Sequence, residues 1–404
     1  MSANDNSHRG LLPPGLGDML PPEAELEAHV MGRLMERFAG QGYQRVKPPL
    51  VEFEDSLFGG AGVAMAAHSF RLMDPVSQRM MGVRADMTLQ VARIATTRLK
   101  DAPRPLRLSY AGNVLRMKGS QLRPQRQFAQ VGAELIGSDA ATADAEAVLL
   151  AADALLEVGV PALSVDLNLP TLVTALCAAL QLPEAMVRRL RRALERKEES
   201  AMARIVADER AKGVAAAGDA VRDVFVGLLR AVGPAEEGVA KLKTLALPPA
   251  ARAEADRLAD VVALLREAAP TLHLTIDPVE YRGLEYQDGV SFTLYARGAL
   301  GEVGRGELGR GGRYRAGFSE DEGTVSEPAT GFTLYMDTVL GAATVEPPSK
   351  RLYVPADVAW AELARWRGKG FHTVHGLSPV ADVRAEAVRL ACAYALINGE
   401  PVVL

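Results

Sequence analysis

The chain has 404 residues, of which 48% are hydrophobic and 24% are charged, an ordinary composition for a globular protein. Its length suggests two or three domains rather than one. Lys and Arg number 46 against 50 Asp and Glu. This balance argues weakly against a protein built mainly to hold nucleic acid, which usually carries a strongly basic surface.

Cysteine usage and hydropathy favour a cytoplasmic protein. The two cysteines, Cys177 and Cys392, lie in widely separated segments and give neither a disulfide framework nor a metal quartet. The first residues contain no apolar stretch of the kind found in secretory signals, and no long apolar run predicts a membrane span. His372 and His375 lie close together without a third ligand nearby, so we expect no metal and no cofactor.

The first third of the chain predicts one amphipathic helix followed by short strands. Leu26, Val30, Leu34 and Phe38 recur every four residues, which indicates a helix over residues 22–39. The segments that follow are predicted as an extended stretch interrupted by Pro48-Pro49, two strands joined by a turn at Asp74-Pro75, a helix over residues 88–99, and a strand pair at residues 106–117 and 126–137 around a polar loop.

The middle of the chain predicts a helical block between strands. The elements in order are an alanine-rich helix capped by Ser138 or Asp139 and running to Gly159, a strand at residues 162–170, and an almost wholly helical stretch from about residue 171 to 270. Strands that bracket a helical block favour an α+β main domain with a helical insertion.

Two motifs in this part of the chain have ordinary structural interpretations. The basic run at residues 187–197 is followed directly by Glu198 and Glu199, which favours a solvated helix face over contact with RNA. The segment GRGELG at residues 304–309 has the spacing of a dinucleotide fingerprint, but it is not followed by a predicted helix. We therefore interpret it as a glycine-rich loop between strands.

The last part of the chain predicts strands and then a small separate module. A strand is expected at residues 272–277, and Asp288-Gly289 between two alternating runs predicts a two-residue hairpin. Pro347-Pro348 marks a linker, and the 56 residues beyond it read as strand, helix, strand, helix, strand. The predicted domains are residues 1–346 and a C-terminal α/β module at residues 349–404.

One strand presents a polar face. In RQFAQVGAELIG, which begins at Arg126, the alternation of side chains places Gln130 and Glu134 on one face and Val131 and Leu135 on the other. The polar face predicts the wall of a binding pocket. A sheet with one face in water would give the same pattern, so both interpretations remain open at this point.

Several segments together resemble the class II histidyl-tRNA synthetases. FRLMD with GVRADMT, NVLRM with RQFAQVGAELIG, YRGLEYQDGVSF, GGRY and TGFTLYMD occur in the order found in that family and cover roughly residues 10–340. The resemblance implies an antiparallel sheet of six or seven strands flanked by helices, usually in a dimer.

The resemblance also implies a pocket for a free amino acid. Asp86 and Thr88 would hold the α-amino group, and Arg116 would face the ligand carboxylate or a phosphate. The residues that match the pocket of the family are Asp86, Thr88, Arg116, Gln130, Glu134, Arg282, Tyr286 and Tyr314. Gln287 replaces the second of two tyrosines in the family. Carboxylates for an ammonium group and arginine for a carboxylate are what a buried zwitterion requires.

The part of the family pattern that contacts ATP is not retained. Lys118 stands where the family has a glutamate that touches adenine, and Pro124 stands where it has an arginine that contacts the phosphates. Thr338 replaces the arginine that clamps the γ-phosphate, and Tyr335 replaces a glycine. Losing one preorganised contact to a transition state typically costs about 3 kcal/mol, so we expect no amino-acid activation. Lys118 and Arg123 are not expected to form an ATP clamp.

An amino-acid pocket without an ATP site resembles the regulatory subunits of short-form ATP phosphoribosyltransferase, which catalyses the first step of histidine biosynthesis. The resemblance implies a non-catalytic protein that assembles with the short catalytic subunit, typically as a hetero-octamer. It also implies activation of that subunit and feedback inhibition by histidine. The C-terminal module resembles a shortened anticodon-binding domain, so no tRNA partner is expected, and no membrane association is expected either.

Other interpretations remain open at the level of sequence. The chain could be a divergent active histidyl-tRNA synthetase with tRNA as its partner, an amino-acid ligase of the same fold, or a scaffold without a ligand. Histidine could bind in the pocket or at a subunit interface, and we favour the pocket. Candidate surfaces for the catalytic partner are residues 1–20, the helical block and the C-terminal module.

Overall fold

The computed structural model describes residues 11–58, 66–119, 123–214, 218–280, 287–296, 306–317, 326–345 and 350–404. Two compact units divide the chain, residues 1–344 and residues 345–404. None of the described helices combines the length and the apolar character that crossing a bilayer requires.

The first unit alternates short strands with helices before and after a long helical stretch. Its helices are α1 Glu23–Gly40, α2 Glu54–Leu57, α3 Thr88–Arg93, α4 Ala141–Glu157, α5 Leu172–Ala179, α6 Glu184–Glu195, α7 Glu199–Ala211, α8 Asp219–Arg230, α9 Ala235–Thr244, α10 Pro249–Ala268 and α11 Met336–Ala342. Its strands are β1 Gln44–Arg45, β2 Val51–Phe53, β3 Arg71–Met73, β4 Met80–Val83, β5 Leu106–Leu115, β6 Gln127–Ile136, β7 Leu163–Asn168, β8 Gly233–Pro234, β9 His273–Asp277, β10 Gln287–Ala296, β11 Glu307–Ala316 and β12 Glu327–Tyr335.

Most strands of this unit join one large mixed sheet. Within the described ranges its order is β1-β5-β6-β12-β11-β10-β7-β9-β8. The strands from β5 to β7 in this order pair antiparallel throughout, which is the antiparallel centre predicted above. Parallel pairs, β1 with β5 and β7 with β9, extend the sheet on both sides. A separate small sheet has the order β2-β4-β3, with the turn at Asp74-Pro75 as predicted.

Both faces of the central sheet are covered, so the interpretation of the polar strand as a water-facing strand is wrong. Every residue of β6 after Gln127 is buried. Helices α1 and α4 cover one face, where Phe38 meets Phe332 edge to face with ring centroids 5.5 Å apart. On the other face, Met87 at the N-terminus of α3 and Val91 within it join an apolar cluster. The polar side chains of β6 therefore lie in an enclosed layer beneath α3.

The predicted hairpin at Asp288-Gly289 is wrong. Both residues lie inside β10, which pairs with β7 on one side and β11 on the other. The register with β11 shifts between Gln287 and Ser291. Because β10 is an interior strand held on both edges, the sheet absorbs these two residues as a local irregularity of the strand rather than as a turn.

Three other local predictions need correction. Neither Ser138 nor Asp139 caps α4, because the N-cap is Ala140 and the Asp139 carboxylate instead accepts a hydrogen bond from Arg313 at 3.1 Å. The helix predicted over residues 88–99 ends at Arg93 and continues as a π-helical turn, Ile94–Arg98. In the glycine-rich segment, residues 307–309 are strand rather than loop, and residues 304–305 lie outside the described residues.

The helical block is built from α5 to α10, interrupted among the described residues by the two-residue strand β8. The basic run falls on α6, and its charges pair with acids of the same region. Arg188 lies 2.5 Å from Glu184, and Arg189 lies 2.6 Å from Asp208. These pairs involve largely exposed side chains, as expected for a solvated helix face.

The second unit is a small α/β module. Its elements are β13 Arg351–Val354, α12 Trp360–Gly368, β14 His372–His375, α13 Val383–Arg389, β15 Tyr394–Ile397 and β16 Glu400–Val403, and its sheet has the order β14-β13-β15-β16. The sequence predicted one final strand where the structure has two antiparallel strands. Asn398 and Gly399 both have positive φ, 53° and 79°, the backbone that a tight two-residue hairpin needs.

Candidate functional site

The turn before α3 carries two of the predicted site residues. The carboxylate of Asp86 accepts a hydrogen bond from the backbone N–H of Thr88 at 2.9 Å, which fixes the turn locally. Gln130 of β6 holds the same turn from below. Its Nε2 donates to Asp86 Oδ2 at 3.0 Å and its Oε1 accepts from the Met87 N–H at 3.1 Å. Gln130 is fully buried, so this carboxylate has a defined position above the sheet.

Glu134 lies deeper on the same face of β6. Its side chain is 1% exposed. Tyr110 of β5 donates to Oε1 at 3.2 Å, and Tyr314 of β11 donates to Oε2 at 3.0 Å. Among the described residues, no Lys, Arg or His side chain pairs with this carboxyl group. Glu134 is therefore a buried acid surrounded by hydroxyl groups rather than by cations.

Two glycines make room for these polar groups in the middle of the sheet. Gly132 pairs with Tyr110 and Gly331 pairs with Glu134 in the strand register. A Cβ atom at Gly132 would collide with the Tyr110 hydroxyl, and one at Gly331 would collide with the Glu134 carboxyl group. Because these two residues have no side chain, the Tyr110 phenol and the Glu134 carboxyl group can lie directly against the backbone of the sheet.

Burial dominates the electrostatics of this layer. It raises the pKa of Glu134 from 4.5 to about 8. The hydrogen bond from Tyr314 lowers that pKa, whereas the nearby charge of Asp86 raises it. Burial also raises the pKa of Tyr110 well above its ordinary value. The surroundings of Glu134 therefore favour its neutral, protonated form.

Tyr110 and Thr333 belong to the site, although the sequence analysis did not select them. The Tyr110 hydroxyl lies 2.7 Å from Thr333 Oγ1 and 3.2 Å from Thr88 Oγ1, so it connects the turn before α3 with β12. The pairing of Tyr110 and Thr333 with Gly132 puts all three in one row across the sheet. That row depends on strand register, which the sequence does not display.

Arg116 lies at the opposite end of this face from Glu134. Gly112, the β5 residue paired with Gln130, precedes Arg116 by four positions, or about 13 Å of extended strand. The guanidinium carbon of Arg116 lies 4.9 Å from the centroid of the Phe128 ring. The structure therefore places the guanidinium of Arg116 over Phe128, two positions before Gln130 on the same face of β6.

Arg123 is engaged within the chain next to Arg116. Its guanidinium carbon lies 3.7 Å from the centroid of the Tyr335 ring, and its Nη2 donates to the carbonyl oxygen of Glu307 at 3.3 Å. The carboxylate of Asp337 lies 3.9 Å from its Nε. A cation stacked on Tyr335 and flanked by two acids fills the region where the sequence lacks the ATP contacts of the synthetases.

Tyr314 reaches the site as predicted, but two predicted residues lie outside the described part of the chain. These are Arg282 and Tyr286, in the segment that leads into β10. Gln287, the first residue of that strand, donates through Nε2 to the carbonyl oxygen of Gly311 at 3.2 Å. The described site therefore consists of Asp86, Thr88, Tyr110, Gln130, Glu134, Tyr314 and Thr333.

This arrangement suits a small polar ligand with a charged amino group and a ring that hydrogen-bonds. Asp86 offers a fixed carboxylate near the rim of the layer, where an ammonium group retains access to water. Glu134 offers a buried carboxyl group that can give or accept a proton. Both groups lie on one face of β6 and its covering turn, which makes them candidates for contacts to one ligand.

Comparison with known proteins identifies the fold and the family. Residues 15–339 match the family model for histidyl-tRNA synthetase. A relative from Rhodospirillum centenum, named ATP phosphoribosyltransferase regulatory subunit, is 54% identical over 96% of this chain and 95% of its own length. A second relative of the same name, from Paramagnetospirillum magneticum, is 53% identical over 97% of both chains.

Solved structures support the same assignment of fold. A protein from Bacillus halodurans, described as an ATP phosphoribosyltransferase regulatory subunit/histidyl-tRNA synthetase, aligns with a TM-score of 0.76 at 25% identity and covers 94% of this chain and 96% of its own. A histidyl-tRNA synthetase from a Nostoc species aligns with the same TM-score at 17% identity, over 98% of this chain and 96% of its own, and shows the fold alone. The class II synthetase fold predicted from the sequence is confirmed. The chain belongs to the family of ATP phosphoribosyltransferase regulatory subunits, which is built on the histidyl-tRNA synthetase fold.

Proposed function

We propose that this chain activates the short catalytic subunit of ATP phosphoribosyltransferase and makes it sensitive to feedback inhibition by histidine. The relatives named above are regulatory subunits, a name that implies a catalytic partner. The observation that carries the proposal is the enclosed polar layer on β6, in which Gln130 holds the carboxylate of Asp86 and two tyrosines hold the carboxyl group of Glu134. The expected loss of the ATP contacts of the synthetases supports the same function.

Histidine fits the chemistry of this layer in one orientation. Its ammonium group would lie at Asp86 and the Thr88 hydroxyl, because a charged group is best matched by the carboxylate nearer to water. Its imidazole ring would meet Glu134 and Tyr314. Its carboxylate requires a cation, which we assign to Arg282 with Arg116 as the alternative. An amino acid without a hydrogen-bonding ring would leave the Glu134 group unpaired and bind more weakly.

Feedback inhibition requires histidine to distinguish two states of the assembly. A ligand shifts an equilibrium only by its difference in affinity for the two states, and such coupling is typically about 1–3 kcal/mol. The proposed assembly is a hetero-octamer in which the regulatory chains also pair with one another. Light scattering of the purified mixture, with and without histidine, would measure its mass and any change of state.

The direct test is a phosphoribosyltransferase assay of the short catalytic subunit with and without this chain. We expect activity to require the chain and histidine to inhibit it. Asp86→Asn should preserve activation, because Asp86 does not contribute to the core, and should weaken histidine inhibition at least tenfold. Asp260→Asn, an exposed carboxylate of α10, is the matched control and should behave like the wild type. Unchanged inhibition in Asp86→Asn would place histidine elsewhere, for example at a subunit interface.

A second assay separates this function from that of an active synthetase. We expect no histidine-dependent exchange between ATP and pyrophosphate, because Lys118, Pro124 and Thr338 replace contacts to ATP and Arg123 fills the adjoining space. A genuine histidyl-tRNA synthetase would be the positive control. Exchange well above background would contradict this interpretation and make the chain an enzyme that activates histidine.

A further inference from the structure

A pocket that only had to bind an amino acid tightly would not need the buried carboxyl group of Glu134. A neutral amide of the same shape could also accept a hydrogen bond from an imidazole N–H. An acid at this depth, without a cation among the described residues, costs free energy whenever it is ionised. Such a group suggests a role in which its proton moves.

The surrounding hydroxyl groups can accommodate Glu134 in both protonation states. When it is ionised, the hydroxyls of Tyr110 and Tyr314 both donate to it. When it is protonated, Tyr110 can turn its hydrogen towards Thr333 Oγ1 at 2.7 Å or the Phe332 carbonyl oxygen at 3.4 Å, and accept the hydrogen of the acid instead. The network therefore retains its hydrogen bonds whether or not the proton is present.

Among the described residues, the groups that face Glu134 offer few acceptors for its proton. From β5 and β11 the titratable neighbours are Tyr110 and Tyr314, and from the turn before α3 the charged neighbour is Asp86. Burial raises the pKa of the Tyr110 phenol well above its ordinary value, so Tyr110 acts as a donor, and Asp86 is already fixed by Gln130. A basic ring nitrogen of a ligand in contact with the Glu134 carboxyl group would be the natural acceptor.

We propose that the site binds histidine as an imidazolium, with the proton held by Glu134 in the empty site transferred to the ring on binding. The O–H bond of the acid breaks, an N–H bond forms on the imidazole nitrogen, and a neutral pair becomes a buried ion pair. The site thereby selects a ligand by the basicity of its ring as well as by its shape. This inference rests on the proposed function, in which histidine occupies this pocket.

The proton count predicts how affinity depends on pH. Free imidazole has a pKa of about 6.5, and burial raises the pKa of Glu134 to about 8. Below about 6.5 the ring arrives charged, so one proton must be released and affinity rises with pH. Above about 8 both groups arrive without a proton, so one must be taken up and affinity falls. Outside this window the affinity should change about tenfold for each pH unit.

The experiment is 15N NMR of ring-labelled histidine bound to the full-length chain, combined with calorimetry across the same pH range. At a pH between the two limits we expect both ring nitrogens of the bound ligand to carry a proton, although free histidine is then mostly neutral. In Glu134→Gln we expect a neutral bound ring, affinity reduced at least tenfold, and loss of the fall in affinity above pH of about 8. Glu254→Gln removes a carboxyl group whose pKa burial also raises, but which lies on α10 outside the site, and should change neither result.

The possible outcomes separate the two proposals. Histidine that binds with a neutral ring, or with a pH profile unchanged in Glu134→Gln, would overturn the proton transfer and leave the proposed function standing. Complete absence of histidine binding to the wild-type chain, alone and with its catalytic partner, would overturn both. The transfer would be established if the bound ring is protonated in the wild-type chain and neutral in Glu134→Gln.

Discussion

Replacing Glu134 with glutamine should change how the stability of the protein depends on pH. Burial raises the pKa of this group from 4.5 to about 8, so the folded protein holds the proton more tightly than the unfolded chain does. Stability from this group is therefore fully present below about pH 4.5 and is lost as pH rises towards 8. The difference between the two pKa values corresponds to about 5 kcal/mol of unfolding free energy, at about 1.4 kcal/mol for each unit of pKa.

Glutamine cannot ionise, so Glu134→Gln does not lose stability in this way as the pH rises. The free energy of unfolding of Glu134→Gln, relative to the wild type, should rise by about 1.4 kcal/mol per pH unit between about pH 4.5 and 8, and then level off. Urea denaturation at several pH values, followed by circular dichroism, would measure the difference. Asp260→Asn, an exposed carboxylate, should give a flat difference. A flat difference for Glu134→Gln as well would show that the group is ionised in the folded protein and refute the reasoning.

Two further substitutions test contacts on the two faces of the central sheet. Gly331→Ala places a Cβ atom against the carboxyl group of Glu134, so calorimetry should show histidine affinity reduced at least tenfold, whereas Gly341→Ala on α11, where a Cβ meets open space, should bind normally. Asp144→Ala leaves the buried guanidinium of Arg313 without the carboxylate that lies 2.8 Å away, and should cost about 3–5 kcal/mol in urea denaturation. A loss below about 1 kcal/mol in the second variant would mean that water or Asp139 replaces the lost partner.

Local patterns in the sequence were sufficient to locate most of the elements. The four-residue recurrence of apolar side chains predicted α1, and the alternation along RQFAQVGAELIG predicted β6 with Gln130 and Glu134 on one face. These predictions succeed because helix and strand periodicity depends on neighbours within a few residues. The hairpin at Asp288-Gly289 failed for the complementary reason, since the pairing of Gln287 with β11 before these residues and of Ser291 with β7 and β11 after them keeps the chain in one strand.

The sequence by itself determined the family and supplied a set of candidate pocket residues that includes Asp86, Gln130 and Glu134. It could not determine that Tyr110 and Thr333 join them, or that the guanidinium of Arg116 lies over the ring of Phe128. Those facts follow from the register of strands far apart in the chain. The proton on Glu134 was also decided by tertiary structure alone, because the pKa of a carboxyl group depends on how completely the folded chain removes it from water.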